Sequence, residues 1–419
     1  MVPRRRPRVE PRHNSAMRTS VPNSHNYAQR GQAALLTVLL LLMVTTFSVF
    51  SFVTPANTQA EIDRKTDAAL AQAREALISY AIANSTQPGR FLCPDTSNNG
   101  QSASPCSGAV ANRLGRLPWK TLLTPDLRDG YGERLWYAVS VDFLGSAGIR
   151  INSDTVGEYS VTGTQPANNV VAVIFSAGPS IGSQIRDTTS AICSTTGTAK
   201  ARNLCAANYL DGGNNDGNTT FITGASSTTF NDRALAITQE ALMQRLLVRV
   251  TGEARQALNY YYSGTSTLTA NNHFPYASAY SDATRECTDG LLQGRVPLPG
   301  TGTAPITPPC KDANNWPSYP AWFDNNRWGN YLFYAVSPAC ASAATAATCI
   351  TSGGLTVTGV SNNTRALIIA TGRAYSGQSR PCVTVNDCLD DAENINGDNV
   401  FLRSTPSSTN NDQLRIVAP

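Results

Sequence analysis

Ten cysteines are the densest reactive chemistry in this 419-residue sequence: Cys93, Cys106, Cys193, Cys205, Cys287, Cys310, Cys340, Cys349, Cys382 and Cys388. No two form a C-x-x-C pair, the close spacing that zinc sites favour, usually with histidine. Only His273 lies beyond the first 31 residues, so a histidine-rich metal site is excluded. An even count without that spacing reads as five disulfides made in an oxidising compartment. Chain order suggests the local loops Cys93–Cys106, Cys193–Cys205, Cys287–Cys310, Cys340–Cys349 and Cys382–Cys388. Each would contribute about 2–4 kcal/mol by restricting the unfolded chain. Order alone leaves the connectivity open.

Catalytic arrangements are sparse. A Ser/His/Asp or Cys/His set needs a histidine base, and His273 sits in a turn-like Asn272-His273-Phe274-Pro275-Tyr276 stretch suited to a structural role. There is no P-loop or dinucleotide fingerprint. Asp126, Asp129 and Glu133 could form a carboxylate pair of the glycosidase kind. Arg128 and Arg134 alternate with them, which favours local ion pairs. Tyr260-Tyr261-Tyr262 could stack on bases or sugars, but Tyr261 falls on the apolar face of its helix, which favours core packing. The expectation is a protein that is not an enzyme.

Two loops have the oxygen density of a calcium site. One contains Asp211, Asn214, Asp216 and Asn218; the other contains Asp390, Glu393, Asn396 and Asp398. Calcium takes six to eight oxygens. Neither loop fits the EF-hand pattern, and Asn-Gly and Asp-Gly steps are also ordinary turns. Calcium is the candidate cofactor, with plain turns as the other reading.

The elements that hold these residues begin with an uncharged stretch, Ala33–Thr54. Its 22 residues, at about 1.5 Å each, match the thickness of a hydrocarbon core. A secretory signal has a shorter apolar region. Seven Arg and one Glu stand in residues 1–31, leaving 26 basic and 28 acidic side chains in the rest. The net charge of +4 therefore belongs to the leader, and no nucleic-acid surface is implied. Basic residues before the span and Glu61 and Asp63 after it predict a cytoplasmic N-terminus. Leu70, Ala73, Leu77 and Tyr80 then recur at helical spacing.

The stretch Arg30-Gly31-Gln32-Ala33-Ala34-Leu35-Leu36 resembles the type III signal of prepilins. The resemblance implies cleavage by prepilin peptidase between Gly31 and Gln32, retention of the helix, and methylation of the new N-terminus. Pro55 is also pilin-like in position. Most pilins carry Glu five residues after the cut; Leu36 stands there, as in tip-associated minor pilins and the K-type minor pseudopilin. Met17 would give a leader of more usual length. Major pseudopilins bind calcium in a head loop near the place of the two acidic loops. The implied partners are prepilin peptidase, other pilin or pseudopilin subunits through the N-terminal helix, and the inner membrane, with no nucleic acid.

Beyond the span the chain repeats itself. Tyr131–Ser140 returns as Trp328–Ser337, Val173–Gly178 as Leu367–Gly372, Leu210–Phe221 as Leu389–Phe401, and Asn231–Leu235 as Asn411–Arg415. A second helical stripe, Met243, Leu247, Val250, Ala254, Leu258 and Tyr261, opens the second copy. The β-branched and aromatic runs between turn residues read as strands. The expected fold is α+β: a transmembrane helix continuing into a pilin-like head of one helix on an antiparallel sheet, then a tandem second head. The expected segments are a leader over 1–31, a transmembrane helix over 32–60, module 1 over 61–238 and module 2 over 239–419. The stretch 263–325 reads as loop. Module 1 is also similar to a group of uncharacterised bacterial prepilin-like proteins, through Phe91–Thr96, Gly115–Lys120 and Leu127–Trp136.

These readings converge on a minor pilin or minor pseudopilin of a type IV pilus or type II secretion filament, placed at the tip by the Leu36 argument. Its expected location is the bacterial inner membrane, single-pass with a periplasmic bulk, then the filament or cell surface after assembly. The alternative is a membrane-anchored periplasmic or cell-surface binding protein or adhesin outside any filament.

Overall fold

The computed structural model describes residues 38–43, 55–104, 113–145, 148–186, 192–195, 198–201, 204–266, 270–298, 318–341, 349 and 353–419. The chain divides into two compact units, Met1–Glu61 and Ile62–Pro419. In the first, residues 38–43 are helical with exposed side chains. Helix α1 runs Pro55–Ala83.

The expected membrane span needs correction. Among the described residues no helix is long and apolar enough to cross a membrane. The helical residues 38–43 are few, and α1 carries Glu61, Asp63, Arg64, Lys65, Asp67, Arg74 and Glu75. Each such charge is costly in hydrocarbon. The transmembrane helix over 32–60, and with it the single-pass inner-membrane placement, is not what the described helices give. Residues 33–37 and 44–54 of the apolar stretch lie outside the described residues.

In the second unit, α1 presents Ala69, Leu70, Ala73, Leu77, Ile78 and Ala81 as one buried stripe. Tyr80, expected on that face, is half-buried. Module 1 builds a sheet from β1 (Leu114–Arg116), β2 (Trp136–Val139), β4 (Ala167–Ser176), β3 (Tyr159–Gly163) and β7 (Thr220–Thr223) in that spatial order, with β8 (Arg233–Thr238) also on β4. A hairpin, β5 (Ile192–Thr195) and β6 (Thr198–Ala201), stands apart. The sheet is not wholly antiparallel: β3 and β7 run parallel, Ser160 opposite Thr220. The chain between them is long enough for the crossover that a parallel pair needs.

Module 2 repeats the plan. Helix α2 (Gln239–Ser263) is capped by Thr238, whose hydroxyl accepts from Ala241 N, and ends at Gly264 with φ 71°. The positive φ there is one that glycine adopts freely. Strands β9 (Gln293–Arg295), β10 (Leu332–Val336), β13 (Ala366–Ala370) and β15 (Gln413–Ala418) form one sheet. Strands β11 (Leu355–Val357), β12 (Ser361–Thr364) and β14 (Val400–Phe401) form another, with β11 and β14 parallel. The register is shared: Trp136 opposes Phe175 as Phe333 opposes Ile369, and Phe175 opposes Ala234 as Ile369 opposes Leu414. The continuous β4 is replaced by β12 and β13, interrupted at Arg365. The stretch 263–325, expected as loop, contains β9.

Alternation along each strand separates two faces. In module 1, Leu135, Tyr137, Val139, Ala172 and Ile174 join α1 and α2 in the main core, while Trp136, Ala138, Val173 and Phe175 meet Tyr209, Leu210 and Phe221. In module 2, Tyr334, Val336 and Ile368 join the same main core, while Phe333, Leu367 and Ile369 pack on Cys382, Cys388 and Phe401. Polar contacts also join the modules. Ile151 N donates to Asn326 Oδ1 at 2.8 Å, Ser153 Oγ to Thr371 O at 2.7 Å, and Gln239 Nε2 to Ser153 O at 2.8 Å.

Candidate functional site

The two acidic loops occupy equivalent places, each leading into the edge strand of its module. In module 1, Asp211 N donates to Asp232 Oδ2 at 2.8 Å, and Asp211 Oδ2 accepts from Asn231 N at 2.9 Å. Gln184 Nε2 donates to Asp211 Oδ1 at 2.7 Å. In module 2, Asp390 N donates to Asp412 Oδ2 at 2.7 Å, Asp390 Oδ2 accepts from Asn411 N at 2.8 Å, and Gln378 Nε2 donates to Asp390 Oδ1 at 3.0 Å. An asparagine amide then serves as a partner to the edge strand. Asn214 pairs with Ile222 O and Ile222 N at 3.1 and 2.8 Å, and Asn394 pairs with Leu402 O and Leu402 N at the same two distances.

These bonds decide what the loop oxygens can do. Asp216 accepts from Asn218 N and Nδ2. Asn396 Oδ1 accepts from Asp398 N, and Asp398 Oδ1 from Val400 N. Glu393 Oε2 accepts from Asn396 Nδ2 at 3.5 Å. Oxygens that already accept N–H bonds within the same turn brace the turn, the Asx pattern. Among the described residues no group of three or more His, Cys, Asp or Glu is arranged to hold a metal ion. These bonds support locked turns, the other reading of the sequence.

Burial sets the electrostatics. It pushes the Asp232 carboxyl up to about 7, and raises Asp412 well above the usual carboxylate range. Asp211 and Asp390 are raised too, by the same loss of water. Two arginines close the loops. Arg186 donates to Gly178 O and Asn208 O and lies 3.5 Å from Glu133; Arg380 donates to Gly372 O and Cys388 O and lies 3.9 Å from Asp154.

The suspected carboxylate pair is an ion-pair array. Asp126 accepts from both Arg128 and Arg134, at 2.7 and 2.9 Å. Asp129 accepts from Ser176 Oγ, Gly178 N, Tyr131 N and Glu133 N, which uses both its oxygens. His273 Nε2 lies 3.4 Å from Tyr261 OH, and the two rings meet edge to face. Tyr261 is buried, Tyr262 stacks on Phe274, and Tyr260 is exposed. Disulfides join Cys340 to Cys349 and Cys382 to Cys388, as chain order suggested. Cys93, Cys205 and Cys287 are also disulfide-bonded. Cys106, Cys310, the Cys193 side chain, Gly31 and Gln32 lie outside the described residues.

Sequence reasoning missed the residues that complete the two loops: Asp232, Asp412, Gln184, Gln378, Arg186 and Arg380. The signal was present, since Gln184-Ile185-Arg186 returns as Gln378-Ser379-Arg380. It also missed that Gly115-Arg116-Leu117-Pro118 returns as Gly294-Arg295-Val296-Pro297. Arg116 lies between Trp136 and Tyr209, 4.2 and 3.9 Å from their ring centres, and burial pushes it down to about 10. Fold and loops together define a tandem α+β protein with duplicated acidic loops braced by the same set of hydrogen bonds. No family model, no curated protein and no solved structure matches this chain.

Proposed function

We propose that this chain is a non-catalytic structural subunit of a type IV filament, a minor pilin or minor pseudopilin with two tandem heads. The observation that carries the reading is the prepilin-like Arg30-Gly31-Gln32-Ala33-Ala34-Leu35-Leu36 segment ahead of two copies of a helix-on-sheet module. The polar chemistry of both modules is consistent with an assembly role. Asp211, Asp390 and Arg186 are spent on turns and loop carbonyls, and Cys340, Cys349, Cys382 and Cys388 on cross-links. Prepilin peptidase and other filament subunits are the partners this reading assigns. Leu36 in place of the usual Glu supports a position at the filament end in this reading. Intact mass and N-terminal sequencing, with and without active prepilin peptidase, test it. A peptidase-dependent N-terminus at Gln32 is expected. An N-terminus at Met1 or Met17 in both strains would rule the reading out.

A further inference from the structure

The sequence contains two Asn-Gly steps, Asn99-Gly100 and Asn396-Gly397. Glycine bends freely and puts no side chain in the way, so its backbone nitrogen can reach the carboxamide of the asparagine before it. The structure treats the two steps differently. Gly100 is buried, and its N–H donates to the carboxylate of Asp95 at 2.5 Å. A Cβ on Gly100 would stand 2.6 Å from Trp119 Nε1, so the indole closes over that step. Asn396, Gly397 and Asp398 are all exposed, and a Cβ on Gly397 would meet nothing within 4 Å. Among the described residues nothing accepts from the Gly397 N–H.

The carboxamide of Asn396 is also prepared for attack. Its Oδ1 accepts from Asp398 N at 2.9 Å. That bond polarises the carbonyl and would steady the oxygen as it gains negative charge. Asn396 Nδ2, which would leave, lies 3.1 Å from Asp398 Oδ2. Module 1 builds the same turn with the two side chains exchanged. Asp216 Oδ1 accepts from Asn218 N at 2.9 Å, and Asp216 Oδ2 from Asn218 Nδ2 at 2.7 Å. A carboxylate at the first position is therefore compatible with the turn.

We propose that Asn396 is a site of spontaneous deamidation in the folded protein and that the fold protects Asn99 from the same reaction. Gly397 N bonds to Asn396 Cγ and gives its proton to water. The Cγ–Nδ2 bond breaks, and Nδ2 takes a proton from water and leaves as ammonia. Water then opens the succinimide at either carbonyl, to aspartate or isoaspartate. One water is consumed and one ammonia released, with nothing oxidised or reduced. Each chain gains a carboxylate beside Asp398, whether or not it enters a filament. The test is peptide mass mapping of the full chain incubated at mildly alkaline pH, folded or in urea with reductant. In urea the two steps should convert at similar rates. In the folded chain Asn396 should convert about tenfold faster than Asn99 or more, because the Gly100 N–H must first leave a charged acceptor. Asn396→Gln should remove the main acidic species seen on isoelectric focusing, since glutamine would have to close a larger ring, and Asn99→Gln should leave it. The proposal falls if Asn99 keeps pace with Asn396 in the folded chain, if Asn396 stays intact there, or if Asn396→Gln leaves the acidic species unchanged.

Discussion

Asp232 and Asp412 depart furthest from the behaviour of a free carboxylate. Each is 3% exposed, and each offers one oxygen to the backbone N–H of the equivalent loop aspartate. The other oxygen, Oδ1, is buried without a hydrogen-bond partner in both. Ionising such a group costs the desolvation of a full charge, which is why Asp232 holds its proton up to about 7. The sign of the pH effect follows. Between the unfolded value near 4 and the folded value near 7, the native state binds the proton and the unfolded state has lost it. Stability therefore falls as pH rises through that window and levels off above it. Asp232→Asn keeps an oxygen acceptor and removes the titration. Urea midpoints at pH 5 and pH 8 should show the wild-type protein losing on the order of 2–4 kcal/mol more than the variant. Equal losses in the two proteins would mean that Asp232 is ionised in the native state throughout.

At the scale of elements, the exposed edges of β7 and β14 are covered by side chains. Asn214 presents an amide that pairs with Ile222 of β7, and Asn394 one that pairs with Leu402, the residue after β14, as another strand would, and an edge so blunted offers less to a foreign strand. The copies differ in one bond: Asn214 Nδ2 also donates to Asp232 Oδ2 at 2.9 Å. Asn214→Ala should therefore cost about 3 kcal/mol and Asn394→Ala about 2 kcal/mol in urea unfolding, each for lost bonds and orphaned buried groups. A larger cost at Asn394 would contradict this account. The sequence revealed these elements unevenly. The stripe Met243, Leu247, Val250, Ala254, Leu258 and Tyr261 is buried throughout, because a helix against a core repeats its apolar face every 3.6 residues. The strand pairs Tyr131–Ser140 and Trp328–Ser337 were legible because β-branched and aromatic residues recur at the same offsets. Asp232 was not, since its partners Asp211 and Asn214 lie far back along the chain and only the sheet brings them together. The parallel pairing of β3 with β7 was equally hidden, because period-2 alternation gives strand faces and leaves strand direction open. The apolar run 33–54 read as a span on hydropathy alone, and the described helices do not supply one.

At the scale of the Ile62–Pro419 unit, the repeat suggests two independent heads, and the packing argues otherwise. One apolar core contains the stripe of α1, the inner faces of both sheets and the length of α2. Helix α2 opens module 2 in sequence, yet Arg245 pairs with Glu75 of α1 at 2.5 Å and Arg249 donates to the carbonyl of Asn84. A Cβ on Gly89 would stand 3.0 Å from Leu246, which places that leucine directly against module 1. Leu246 is fully buried. Truncating a buried leucine costs about 2–5 kcal/mol, depending on how far the site collapses. If the two modules were separate folding units, Leu246→Ala would loosen only one sheet. A shared core predicts that native-state hydrogen exchange quickens in β2 of module 1 and β10 of module 2 together, by the same increment of free energy. Acceleration confined to β10 would show that the modules open independently, and the duplication would then be of folding units as well as of sequence. Joint acceleration would mean that the second copy is needed to complete the core of the first.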